Sequence, residues 1–122
     1  MAETVEITFT AVEMVKLMAI VNHWPCHNGG EVRMIQRLGP IVDLTDADKQ
    51  AIEWREFERG GRVMYQCNSL ATVTRAVGEQ ERRVLLAMVQ SPPEEAAWVR
   101  GDFGLMNSLL AKLGGEAIEE VE

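Results

Sequence analysis

Val5, Ile7 and Phe9 alternate with Glu6 and Thr8, which is the period-two pattern of a strand with one buried face. The period changes directly afterwards. Thr10-Ala-Val-Glu13 has the spacing of a capping box, in which the Thr hydroxyl accepts from a backbone N–H three residues on and the Glu reaches back. Met14, Leu17, Met18 and Val21 then recur at helical spacing. Pro25 predicts the end of that helix, and Asn28-Gly29-Gly30 a flexible turn. Val32, Ile35 and Leu38 predict a second, short helix ending at Gly39-Pro40. Thr45-Asp46-Ala47-Asp48 opens a third, expected to run to about Trp54, with its acids suited to the positive end of the helix dipole.

The middle of the chain is different in kind. Segments 53–59 and 62–67 flank Gly60-Gly61, and paired glycines permit the positive φ angles of a tight hairpin turn. Val63, Tyr65 and Cys67 are expected on one face of it. Ala71–Val77, rich in Thr and Val, predicts another strand. Val84, Leu85, Met88 and Val89 restore the helical period until Pro92-Pro93, and Glu94–Val99 suggests one short turn of helix. Phe103, Met106, Leu109, Leu110 and Leu113 predict a last amphipathic helix closed by Gly114-Gly115.

Shifting the chain by 68 residues lays EMVKLMAIVN (13–22) over ERRVLLAMVQ (81–90), matching Glu13 with Glu81, Leu17 with Leu85, Ala19 with Ala87 and Val21 with Val89. Each copy follows a strand-like segment, ends near a proline and leads to a second helix, RMIQRL or LMNSLL. The expected fold class is therefore α+β and mostly helical. Two strand–helix–turn–helix halves, at about 5–41 and 73–113, suggest an internal duplication. A short β-hairpin at about 53–67 joins them within a single compact domain, 1–113, and residues 114–122 form an acidic flexible tail.

Charge narrows the partners. The net charge is −7, but Glu116, Glu119, Glu120 and Glu122 supply four of those charges, and residues 1–113 carry 15 acids against 12 bases. Direct binding to a phosphate backbone wants the opposite sign, so no nucleic-acid contact is expected. No apolar run is long enough for a membrane span, which needs about 18 residues. The first residues are acidic where a secretory signal is basic, so the expected location is the cytoplasm. In a reducing cytosol Cys26 and Cys67 are expected as free thiols.

One stretch looks chemically loaded. HWPCH, 23–27, holds both histidines and one of the two cysteines. With Cys67 it supplies the ligand count of a Cys2His2 zinc site. The spacing opposes that: Cys26 and His27 are adjacent, so their side chains diverge, and Cys67 belongs to an alternating strand as a small core residue. A Cys–His nucleophile also lacks an orienting third group and an oxyanion hole. HWPCH reads as a bend between helices. HNGGEV and ERGGRV match no phosphate-binding loop. Asp43, Asp46, Asp48, Glu53, Glu56 and Glu58 alternate with Lys49, Arg55 and Arg59 as a solvated face, and Arg82 and Arg83 follow Glu79 and Glu81 in the same way. The expectation is a protein that is not an enzyme, with no catalytic residue, metal or cofactor.

Two features look more specific. Trp54, Phe57 and Tyr65 gather three of the seven aromatic residues around the hairpin, interleaved with Arg55, Arg59 and Arg62. This aromatic–arginine mixture is that of protein interfaces, and these six residues are the expected partner contacts, the alternative being that the aromatics cap the core. Trp98 lies in the connector 93–102, where the second half is longer than the first, and a loop insertion of that kind suits a second contact.

The order VKLMAIVNHWP, EVRMIQRL, LTDAD, GGRVMY and LLAKL, spanning roughly residues 10–113, resembles small proteins encoded by phages and prophages. Some of these bind host machinery such as RNA polymerase and redirect or inhibit it. The Cys/His connector and the glutamate tail depart from that pattern, so no contact residue is carried over. The resemblance implies a phage or mobile-element regulator or inhibitor, monomeric or homodimeric. It would bind a host protein complex of transcription or defence in the host cytoplasm, as an instrument of host takeover or anti-defence. The alternative is a self-assembling virion or scaffold component.

Overall fold

A computed structural model of the chain describes residues 4–115. The acidic tail expected over 114–122 lies, from residue 116 on, outside the described residues. The fold is α+β. Strand β1, Thr4–Thr10, pairs antiparallel with β4, Thr72–Gly78, and a second, separate two-stranded sheet is the hairpin of β2, Arg55–Arg59, and β3, Arg62–Gln66. The helices are α1 (Ala11–Asn22), α2 (Gly29–Val42), α3 (Asp46–Ala51), α4 (Glu79–Gln90) and α5 (Phe103–Lys112).

The β1–β4 sheet has one wet face and one dry face, as the alternation requires. Ile7, Phe9, Val73 and Val77 are buried, while Thr4, Glu6, Thr8, Thr72 and Thr74 face solvent, with the Thr8 and Thr74 hydroxyls 2.8 Å apart. Val5 departs from expectation: paired with buried Val77, it stays half exposed near the start of its strand. Both strands pass into helices without a loop. Thr10 caps α1 through the expected box, its hydroxyl accepting from Glu13 N at 3.2 Å while its own N–H donates to Glu13 Oε1 at 2.7 Å. Gly78 occupies the matching position before α4 with no side chain to offer. Thr10→Ala should therefore cost about 1 kcal/mol of stability, measured by denaturant unfolding.

Strand and helix bounds repeat at a constant offset. Residues 4–10 and 11–22 of β1 and α1 correspond, 68 positions on, to 72–78 and 79–90 of β4 and α4. The pairing register is centred on the same relation, since Ile7 lies opposite Arg75, its own counterpart. A local twofold therefore relates the two paired strands, and each passes into a helix of 12 residues. The second helices follow it less closely, α2 spanning 14 residues and α5 only 10.

Two expectations fail in α2. Asn28-Gly29-Gly30 is not a flexible turn but a helix start, with the Asn28 side chain accepting from Glu31 N at 2.9 Å. The helix also continues through Gly39-Pro40 to Val42. A proline inside a helix costs about 3 kcal/mol or more, because it removes one hydrogen bond and crowds the carbonyl four residues back. Here that carbonyl belongs to exposed Gln36, and continuing the helix buries Ile41 and Val42, worth about 1.5–3 kcal/mol each. Burial wins.

Helix α3 has its own capping box, Thr45 with Asp48, and ends earlier than expected. Glu53 takes φ +58°, a left-handed conformation that turns the chain out of the helix and toward the hairpin. In the second half, α4 stops before Pro92-Pro93, two short 3-10 turns (Glu94–Ala96 and Arg100–Asp102) replace the single turn expected, and α5 ends before Gly114 at φ +85°.

The core is one cluster built from both halves: Phe9, Met14, Leu17, Ile20 and Leu38 from the first, Leu85, Val89, Leu109, Leu110 and Leu113 from the second, and Val42 and Ile52 between them. Ile20 takes the buried place the helical spacing assigned to Met18, which is only half buried.

Candidate interaction surface

Every residue of β2 and β3 is exposed. The turn is a two-residue loop with Gly60 at φ +62° and Gly61 at φ +78°, the backbone that matches the twist of a two-stranded ribbon. Open space surrounds both glycines, so a side chain added at either meets only the backbone penalty, about 1–2 kcal/mol in the left-handed region. Gly61→Val should accordingly speed amide exchange in the hairpin severalfold and leave exchange in α1 and α4 unchanged.

Pairing of Arg55 with Gln66, Phe57 with Met64 and Arg59 with Arg62 puts Arg55, Phe57, Arg59, Arg62 and Met64 on one face. Glu56, Glu58, Val63 and Tyr65 occupy the other. Trp54 joins this second face: its ring stacks on Tyr65, centroids 4.6 Å apart and planes 3° from parallel, and its Nε1 donates to Glu56 at 3.2 Å. The six expected contact residues are thus divided, four on an arginine face and the two aromatics Trp54 and Tyr65 on a glutamate face. Trp54 is also half buried against the core, so it ties the hairpin to the body.

Large apolar side chains stand exposed on both faces: Phe57 40% and Met64 45% on the first, Val63 77% and Tyr65 49% on the second. Met64 and Val63 escape a search for aromatic–arginine clusters, although their alternation in RVMYQ carries the signal. Among the described residues, ion pairs join Arg75 to Asp48, Arg82 and Arg83 to Glu79, and Lys112 to Glu13. Arg55, Arg59 and Arg62 take part in none of them. At the hairpin base, Asn68 donates to Glu53 Oε2 at 2.8 Å and to the Ile52 carbonyl at 2.7 Å, fixing where the ribbon leaves the body.

Other charged residues are more structural than a solvated face. Asp48, in the first turn of α3, is held by Arg75, and Arg82 pairs with Glu79 while also donating to the Leu113 carbonyl at the end of α5. Arg82, with Arg83 adding to it, lowers the Glu79 carboxyl to about 2. Trp98 has a packing role as well, half buried against the core. Its Nε1 donates to the Val89 carbonyl at 2.7 Å, and Lys16 lies 4.6 Å from its ring centre while bonding the Ala96 carbonyl at 2.8 Å. The longer connector is pinned against α1 and α4.

In HWPCH, His23, Cys26 and His27 are exposed, whereas Trp24 packs against the core beside a groove of about 300 Å³ lined by Met34, Ile35, Val84, Ala87 and Met88. Cys67 is half buried beyond the end of β3. Among the described residues, no three His, Cys, Asp or Glu side chains come together as a metal site, and no helix is long and apolar enough to cross a membrane. No protein-family model, characterised protein or solved structure matches the chain.

Proposed function

We propose that the chain is a non-enzymatic protein–protein interaction module, encoded by a phage or mobile element, that regulates or inhibits a host complex of transcription or defence. The observation that carries this reading is the projecting hairpin: exposed along its whole length, apolar on both faces and bearing three arginines that join no ion pair among the described residues. A two-stranded hairpin is marginal by itself in water. Interfaces concentrate their energy in aromatic and arginine side chains of this kind. The body beneath is a platform of two related strand–helix units, for which we infer an ancestral duplication. The expected location is the cytoplasm of the host cell.

The test is affinity purification of the tagged chain from a bacterial lysate, with mass spectrometry of the stoichiometric partner. Phe57→Ala and Tyr65→Ala should each weaken binding to that partner by about 2 kcal/mol, measured by calorimetry, with the fold intact. Unchanged affinity in both folded variants removes the hairpin from the interface.

A second reading, a self-assembling virion or scaffold component, is favoured by one observation: the hairpin faces are opposite in charge, so an arginine face suits the glutamate face of another copy. Such contact is head-to-tail and does not close on itself. It predicts a mass that grows with concentration in a dilution series, where the regulator reading predicts a fixed monomer or dimer.

A further inference from the structure

We infer that the hairpin docks by insertion between two walls of a protein partner, with the wall facing Arg55, Arg59 and Arg62 acidic. This rests on the reading of the hairpin as the interaction surface and adds the geometry and the chemistry of what it meets. A ribbon lying flat on its partner buries one face and keeps the other in water, and alternation then leaves the wet face polar, as on the threonine face of the β1–β4 sheet. The β2–β3 hairpin does not follow that rule. The cross-strand pair Phe57–Met64 sits at the centre of one face, and Val63 and Tyr65 stand out on the other. Both faces therefore have an apolar centre with a charged surround, the arrangement of a binding anchor and its rim. A wall packed on each face, about 10 Å away by the usual spacing of packed layers, defines a cleft on the order of 20 Å between wall backbones.

Charge chooses the occupant of the arginine side. Three guanidiniums that join no ion pair among the described residues suit carboxylates or phosphates, which they bind through paired hydrogen bonds. A nucleic-acid groove is disfavoured because both its walls are phosphate, and Glu56 and Glu58 would face one of them. A closed twofold pair of copies, face on face, would set arginines against arginines or glutamates against glutamates. A protein cleft with an acidic wall on one side and a neutral or basic wall on the other satisfies both faces.

The experiment places the photoreactive residue p-benzoylphenylalanine in the full chain at position 57 or, separately, at position 63. A third chain carries it at position 12, an exposed site on α1, as a control. Each chain is irradiated in bacterial cells and the trapped peptides are sequenced. The expected result is one protein trapped from both 57 and 63 and none from 12, with the position-57 peptides rich in Asp and Glu. Arg55→Glu together with Arg59→Glu should reduce the position-57 adduct tenfold or more. Circular dichroism reports the folded body, which those exposed side chains leave unchanged. Trapping from one face only, different proteins from the two faces, or position-57 peptides without acidic residues overturns the cleft. A nucleic-acid adduct or an adduct of the chain with itself overturns the protein partner. No adduct from either face in folded chains sinks the interaction reading itself.

Discussion

Glu13→Ala is expected to lower the stability of the fold by about 3–5 kcal/mol, the range for removing one member of a buried ion pair. The carboxylate is 1% exposed, yet it has a partner on every side. Oε1 accepts from Thr10 N at 2.7 Å and from Lys112 Nζ at 2.5 Å, and Oε2 accepts from Ser108 Oγ at 2.6 Å. Alanine leaves a cavity and strands the Lys112 ammonium, which is only 30% exposed. Glu13→Gln retains the size and some of the hydrogen bonds, so its cost should be less than half as large. A double-mutant cycle with Lys112→Ala should give a coupling of about 1–3 kcal/mol by urea unfolding, and a coupling near zero would mean the pair is solvated and inert.

Acid provides an independent check on the same residue. Burial raises the Glu13 carboxyl, and the hydrogen bonds from Lys112, Ser108 and Thr10 outweigh it, leaving the group below its ordinary value of 4.5. A carboxyl lowered in the folded state contributes stability that is complete above its unfolded value and is lost as pH falls through the folded one. Wild-type stability should therefore decline as pH falls below about 4.5, and Glu13→Gln should decline less steeply over the same interval. Parallel slopes for the two proteins would show that Glu13 is not the group responsible.

Glu13 also shows how far the sequence could be read. The capping box Thr10-Ala-Val-Glu13 was legible because its partners lie three residues apart, and that local role is real. The same carboxylate, however, joins α1 to α5 across almost the whole chain, and nothing in a linear pattern pairs Glu13 with Lys112. A residue fully explained by a short-range rule gave no reason to look for a second role. The hairpin was legible for the same local reason, since Gly60-Gly61 marks its turn. Its division into an arginine face and a glutamate face follows from alternation, but Trp54 had to be placed by its stack on Tyr65. The end of α2 was misread because Gly39-Pro40 is a strong stop signal whose cost is outweighed by burial of Ile41 and Val42, a tertiary term. The packing of Trp98 was not legible, because a long connector carries no mark of the face onto which it folds.

Arg75→Ala should be the other large effect, about 2–4 kcal/mol, because several hydrogen bonds from one charged group fail together. The residue lies on the core side of β4, opposite Ile7, where alternation calls for an apolar side chain. Its guanidinium instead gathers three partners from outside the sheet. Nε donates to the Ile41 carbonyl at 2.9 Å, Nη2 to the Asp43 carbonyl at 3.1 Å, and both Nη atoms meet the Asp48 carboxylate. The first two are carbonyls freed at the end of α2, and the third opens α3, so one side chain closes one helix and positions the next. Arg75→Lys should recover less than half of the loss, since an ammonium cannot present the planar fork that spans these acceptors. The Arg75 hydrogen bond holds the Asp48 carboxyl below its ordinary value of 3.8. That share of stability is present above 3.8 and lost as pH falls below it, so Arg75→Ala should flatten the acid limb there while lowering stability at neutral pH. Because α3 leads directly to Trp54 and the hairpin, the same variant should speed amide exchange at Lys49 and Trp54 before it affects α1. Uniform acceleration throughout the chain would instead make Arg75 a general support of the core, without a particular hold on the α2–α3 corner.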